Sequence, residues 1–135
     1  MCIRDSPKYP AVFNNESLMV VASSAKPFFG NGGPSLSSFS NYSESLVDLA
    51  APGSNVYSSV RNDRYQSYSG TSMASPNAAG VAAEVWSQYP EFTGVEIKEI
   101  LMLSVTEVER FEGKMQAPGV VNLVKALEVA EELSE

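Results

Sequence analysis

The chain carries 135 residues, 44% of them apolar, with sixteen acidic and nine basic side chains for a formal net charge of −7. That is chain enough for a real core, and the negative balance argues against a nucleic-acid partner held by phosphate contacts. Histidine is absent and Cys2 is the only cysteine, so an imidazole base, an imidazole metal site and an internal disulfide all lie beyond this polypeptide alone.

Residues 1–8 have neither apolar period nor capping logic and read as a ragged, non-native start; residues 9–135 read as one unit. No apolar run reaches membrane-spanning length, and the first residues hold no secretory signal. Leu18-Met19-Val20-Val21-Ala22 predicts a buried strand of a parallel sheet. Residues 28–40, with Gly30-Asn31-Gly32-Gly33-Pro34, predict a loop. Val47-Asp48-Leu49-Ala50 and Asn55-Val56-Tyr57-Ser58-Ser59 predict two more strands either side of a turn at Pro52-Gly53, with Arg61-Asn62-Asp63-Arg64 a polar connection.

Three helices follow. Over 72–89, Ala74, Ala78, Val81, Ala82, Val85 and Trp86 recur on one helical face; Pro76 falls in the first turn and Pro90 stops the helix. Thr93 with Glu96 makes a capping-box pattern ahead of Ile97, Ile100 and Leu101. Asn122 can cap a last helix with Leu123, Ala126, Leu127, Ala130 and Leu133 in register. Residues 91–135 hold ten acids against four bases, which fits solvated faces on these late helices. The pattern is α/β. Three strands with helices for one face cannot close a doubly covered sheet, so the chain reads as part of a domain.

The stretch that carries chemistry is Ser69-Gly70-Thr71-Ser72-Met73-Ala74-Ser75-Pro76-Asn77-Ala78-Ala79-Gly80. Gly70 permits a tight turn into the helix, and Ser72 lies at its N-terminus among unpaired N–H groups and the positive end of the helix dipole. A hydroxyl so placed has its own N–H ready for an oxyanion. The plainer reading makes Ser72 an N-cap in a helix of small residues.

These residues resemble the serine motif of the subtilisin-like proteases (subtilases). Four further segments resemble that family in the same order: Tyr9-Pro10-Ala11 leading to Met19-Val20-Val21-Ala22, Ser38-Phe39-Ser40-Asn41-Tyr42, Val47-Asp48-Leu49-Ala50-Ala51-Pro52-Gly53, and Gly119-Val120-Val121-Asn122. The resemblance spans nearly the whole chain. It implies the C-terminal part of a three-layer α/β catalytic domain, a parallel sheet flanked by helices, and a serine endopeptidase working through an acyl-enzyme. Carried over residue by residue, it makes Ser72 the nucleophile and its N–H an oxyanion donor. Gly70 and Thr71 shape the nucleophile turn, and Met73 packs beside it.

The family order is aspartate, histidine, serine, so the resemblance places the base and its carboxylate upstream of Met1. Its oxyanion asparagine falls just before Tyr9, where Cys2-Ile3-Arg4-Asp5-Ser6-Pro7-Lys8 offers none. This chain alone is therefore expected to be inactive. Lys8 takes a position that lines the primary specificity pocket and would favour an acidic substrate side chain. Asn77 stands where the family commonly has histidine, at a non-catalytic position; Ser43 replaces a glycine, and the 26–36 loop is long. The resemblance further implies polypeptide substrates, no nucleic-acid or membrane partner, no cofactor for the chemistry, structural calcium on carbonyls after Tyr9, and secretion or an extracytoplasmic location. It leaves the oligomeric state open.

Two alternatives belong to other classes. One is a non-catalytic remnant serving as a binding segment; the other is a sedolisin-type serine-carboxyl peptidase, which dispenses with histidine. Ser23 and Lys26 have serine–lysine dyad spacing, but an apolar strand and Pro27 forbid the shared helical turn. Gly30-Asn31-Gly32-Gly33 lacks the Lys-Ser/Thr and helix of a phosphate cradle. Asn15-Glu16-Ser17 and Asn41-Tyr42-Ser43 match the glycosylation acceptor pattern.

Overall fold

The computed structural model describes residue 13, residues 15–26 and residues 33–134. Its framework is a five-stranded sheet in which β1 (Val21–Ala25), β3 (Leu49–Pro52) and β7 (Gly119–Val120) run parallel. Two short antiparallel strands close the edges, β2 (Ser35–Leu36) beside β1 and β6 (Thr106–Glu107) beside β7. Val21 pairs with Leu49 and Ser24 with Pro52, while Ala50 pairs with Val120. Both strands are buried along most of their length; β3 is apolar, whereas β1 begins three residues later than the apolar run 18–22 and buries Ser23 and Ser24.

The two faces rest on two cores. Successive strand residues point to opposite sides, so Leu49 and Ala51 face α1 (Thr71–Gln88), α2 (Gly94–Leu103) and α3 (Leu123–Ser134), whereas Ala50 and Ala22 face away. Ala74, Ala78 and Val85 of α1 meet Ile97, Ile100 and Leu101 of α2 and Ala126 and Ala130 of α3 on the first side. On the other side, among the described residues, a 3-10 turn (Glu109–Phe111) and the following loop lay Phe111 and Met115 over Ala22, Ala50 and Val120.

The polar connection expected at 61–64 is instead the end of a hairpin. β4 (Val56–Val60) pairs with β5 (Arg64–Tyr68) as a separate two-stranded sheet, so 55–59 does not extend the parallel one. Asn62 and Asp63 turn the chain with φ of 65° and 53°, a left-handed conformation these two residue types tolerate. Tyr57 and Tyr65 stack on the outer face with ring centroids 5.7 Å apart.

All three predicted helices form, with corrections of detail. Pro76 is the sixth residue of α1, in the second turn rather than the first. Trp86 is 46% exposed, and Leu123 and Leu133 are also exposed, so none of the three belongs to the inner faces. Thr93 and Glu96 close a capping box: the Thr93 N–H donates to Glu96 Oε2 at 2.7 Å and the Glu96 N–H to Thr93 Oγ1 at 3.4 Å. Asn122 Oδ1 accepts the Lys125 N–H at 3.2 Å at the head of α3.

Candidate functional site

Gly70, Thr71, Ser72 and Met73 meet where β5 hands over to α1. Gly70 caps α1 from an extended backbone (φ 166°, ψ 161°), a conformation open to residues other than glycine. The glycine that packing reserves lies opposite it. A Cβ on Gly53 would come 2.3 Å from Ser23 Oγ and 2.7 Å from the Gly70 carbonyl. This close approach lets the Gly70 N–H donate to Gly53 O at 2.7 Å, fixing the start of α1 against the carboxyl end of β3.

Ser72 is the second helical residue and is exposed. It is not an N-cap: Gly70 holds that place, and no side chain caps the helix. The Gly70 carbonyl accepts the N–H groups of Met73 at 3.0 Å and Ala74 at 3.3 Å. Among the described residues, the N–H groups of Thr71 and Ser72 and the Ser72 hydroxyl have no hydrogen-bond partner. A free hydroxyl thus stands beside two free N–H donors at the positive end of an 18-residue helix. Such an arrangement can stabilise negative charge developing on an oxygen next to Ser72 Oγ.

The surroundings of Ser72 are a shallow depression of about 440 Å³ between α1 and the hairpin, lined by Val56, Ser58, Ser59, Val60, Tyr68, Met73, Pro76 and Asn77. The hairpin residues in this wall carry no motif of their own; only the β4–β5 pairing brings them to Ser72. None of them is a carboxylate, an imidazole or an amine, so no side chain in this wall can take the hydroxyl proton as an ordinary general base at neutral pH. A larger cavity of about 930 Å³ lies beyond the ends of β1 and β3, lined in part by Lys26, Ser37, Phe39, Ser54, Ser69 and Asn77, and does not include Ser72. The larger space thus lies apart from Ser72, which lines the smaller one.

The other sequence candidates resolve simply. Ser23 is fully buried on β1 with its hydroxyl bonded to Ser37 Oγ at 2.8 Å, and the strand gives it no helical turn to share with Lys26. Lys8, the carbonyls after Tyr9 and residues 30–32 lie outside the described residues. Among the described residues no group of three His, Cys, Asp or Glu side chains gathers as metal ligands, and no helix is long and apolar enough to cross a membrane. Asn77 Nδ2 donates to Pro52 O at 2.8 Å and to Met73 O at 3.0 Å, a pair of contacts that no sequence motif announces.

Comparison with known proteins bears on the family of the chain. The profile described as "Subtilase family" matches residues 4–122. A subtilisin-like protease 1 of Plasmodium berghei is 34% identical over 125 residues, covering 91% of this chain and 20% of that protein. A halolysin-like extracellular serine protease, Nep, of Natrialba magadii is 46% identical over 96 residues, covering 71% of this chain and 16% of that protein. Among solved structures, a chain from work on the assembly of the subtilase cytotoxin SubAB superposes with a TM-score of 0.80 at 26% identity, covering 92% of this chain and 42% of the other. The chain thus spans about a fifth of the length of the curated relatives it matches.

Proposed function

Because this chain belongs to the subtilase family, we propose that it carries the serine half of a serine-endopeptidase active site, with Ser72 as the nucleophile. The observation that carries this is the free Ser72 hydroxyl beside the unpartnered N–H groups of Thr71 and Ser72 at the head of α1. Ser72 Oγ attacks the scissile carbonyl carbon, and its proton passes to a base. The carbonyl oxygen takes the negative charge and is held by the Ser72 N–H; Gly70 and Thr71 set the turn, and Met73 follows the nucleophile. Collapse of this adduct releases the amine, which takes up the proton, and leaves an acyl-Ser72 ester; water then hydrolyses the ester and restores the hydroxyl. On this reading the base and the carboxylate that orients it come from upstream of Met1, while the place of the second oxyanion donor falls just before Tyr9, where Cys2 to Lys8 hold no asparagine.

The substrates on this reading are polypeptides, with Lys8 at the primary specificity pocket, and the place of action is extracytoplasmic, as for the extracellular relative from Natrialba magadii. No cofactor enters the chemistry, and any structural calcium would be held from carbonyls after Tyr9. The test is fluorophosphonate labelling of the full-length protein and of its Ser72→Ala variant, alongside the isolated 135-residue chain. Labelling of the full-length protein alone supports the proposal. Absence of labelling in the full-length protein overturns it in favour of a non-catalytic remnant.

A further inference from the structure

The nucleophile turn is fastened at two points to one dipeptide. On the near side of Ser72, the Gly70 N–H donates to Gly53 O at 2.7 Å. On the far side, Asn77 Nδ2 donates one hydrogen to Met73 O at 3.0 Å and the other to Pro52 O at 2.8 Å. Residues 70 and 73, which bracket Thr71 and Ser72, are thereby tied to Pro52-Gly53 at the carboxyl end of β3. The first tie is backbone to backbone and survives most substitutions. The second depends on a single side chain.

Local chemistry gives that second tie a job. Pro76 has no N–H, so the Ser72 carbonyl cannot receive the bond from four residues on, and the turn bearing the nucleophile is short of one internal restraint. Apolar packing anchors this turn through Ala74 alone, while Thr71, Ser72, Ser75 and Pro76 are all exposed. Ser72 itself has no side-chain partner among the described residues that would hold it.

We infer that Asn77 is a positioning residue for Ser72: its amide clamps the residue after the nucleophile to the end of β3 and so holds the Ser72 hydroxyl and N–H in place. This rests on Ser72 being the nucleophile. Small displacements of a reacting group cost rate well out of proportion to their size. A clamp of two neutral hydrogen bonds on an exposed side chain therefore affects turnover more than folding.

The experiment uses the full-length protein and measures peptide hydrolysis for Asn77→Asp, Asn77→Ala, Asn77→His and Ser72→Ala, with thermal melting for each. Asn77→Asp keeps the shape but offers only acceptors to two carbonyls. It and Asn77→Ala lose both bonds of the clamp and should lower kcat roughly tenfold, with KM within about twofold and the melting temperature nearly unchanged. Asn77→His keeps an N–H near the amide nitrogen and should recover a large part of the lost kcat. Wild-type kcat in Asn77→Asp beside an inactive Ser72→Ala overturns this inference alone, as does a loss of kcat that only tracks a loss of folded protein. A fully active Ser72→Ala overturns the nucleophile assignment and this inference with it.

Discussion

Lys98 of α2 and Asp48, the residue that leads into β3, form an ion pair of 3.0 Å in which the Asp48 side chain is only 2% exposed. The carboxylate also accepts the Val20 N–H at 2.6 Å and Gln116 Nε2 at 3.2 Å, while Lys98 donates to Leu18 O at 2.8 Å. One buried charge therefore collects the approach to β1, the approach to β3, a helix and the 113–117 loop. No buried side-chain polar atom among the described residues lacks a partner.

Removing one member of such a pair is expected to cost far more than the pair contributes. Lys98→Met leaves the Asp48 carboxylate buried without its counter-charge, and about 3 kcal/mol of stability should be lost. Chemical denaturation would show it as a lowered midpoint with an unchanged slope. The double variant Asp48→Asn, Lys98→Met should recover a good part of that loss.

Glycine substitutions are expected to act in opposite directions at two positions. Gly53→Ala would place its Cβ 2.3 Å from Ser23 Oγ and 2.7 Å from the Gly70 carbonyl, with the strand and the nucleophile turn both in the way. A loss of roughly 1–3 kcal/mol follows from that overpacking. Gly80→Ala meets nothing within 4 Å inside α1 and should gain about 0.5–1 kcal/mol from helix propensity. Paired thermal melts decide both.

Among the described residues Phe111 is the largest fully buried side chain, and it packs on the sheet face opposite the three helices. Phe111→Ala should cost about 3–5 kcal/mol. Near-ultraviolet circular dichroism and urea midpoints would register the loss, and Phe111→Leu should retain most of the stability.

Glu96 supplies a pH dependence with a definite sign. The hydrogen bonds from the Thr93 backbone and then from its side chain hold its carboxyl below the ordinary value of 4.5, outweighing the opposing effect of burial. A carboxyl lowered in the folded state adds stability above its unfolded value, and loses it as pH falls through the folded one. Wild type should therefore exceed Glu96→Gln in melting temperature at pH 7, and the two should converge as the pH is brought well below 4.5. A gap that persists at low pH would refute the assignment.

Local signals carried the parts of the molecule that local physics decides. Thr93 with Glu96 and Asn122 at the head of α3 act within one helical turn, so their sequence spacing suffices. The Gly70-Thr71-Ser72 stretch is legible for the same reason. The hairpin is not: all of Arg64–Tyr68 is exposed and polar or aromatic, with no alternation to mark a strand, and its one cue is the Asn62-Asp63 pair. Two-residue strands such as β2, β6 and β7 are shorter than any period. Trp86 misled because α1 has apolar or small residues around most of its circumference, so periodicity alone does not orient it; the structure buries Ala74, Ala78 and Val85 instead. Asn77 escaped because one of its partners, Pro52, is 25 residues away in sequence.

The register of β3 against β7 also bears on how the chain acquires its shape. Ala50 finds its partner Val120 about seventy residues downstream, after the hairpin and two of the three helices have been made. Pairing across such a separation is slow, since loop closure is paid before any contact rewards it. On a ribosome, β3 would wait with one edge open until Val120 emerged. During that interval the backbone of Leu49, Ala50 and Ala51 stays unpaired along one edge and open to any neighbouring strand, so a window of aggregation risk is set by translation speed between residues 52 and 120.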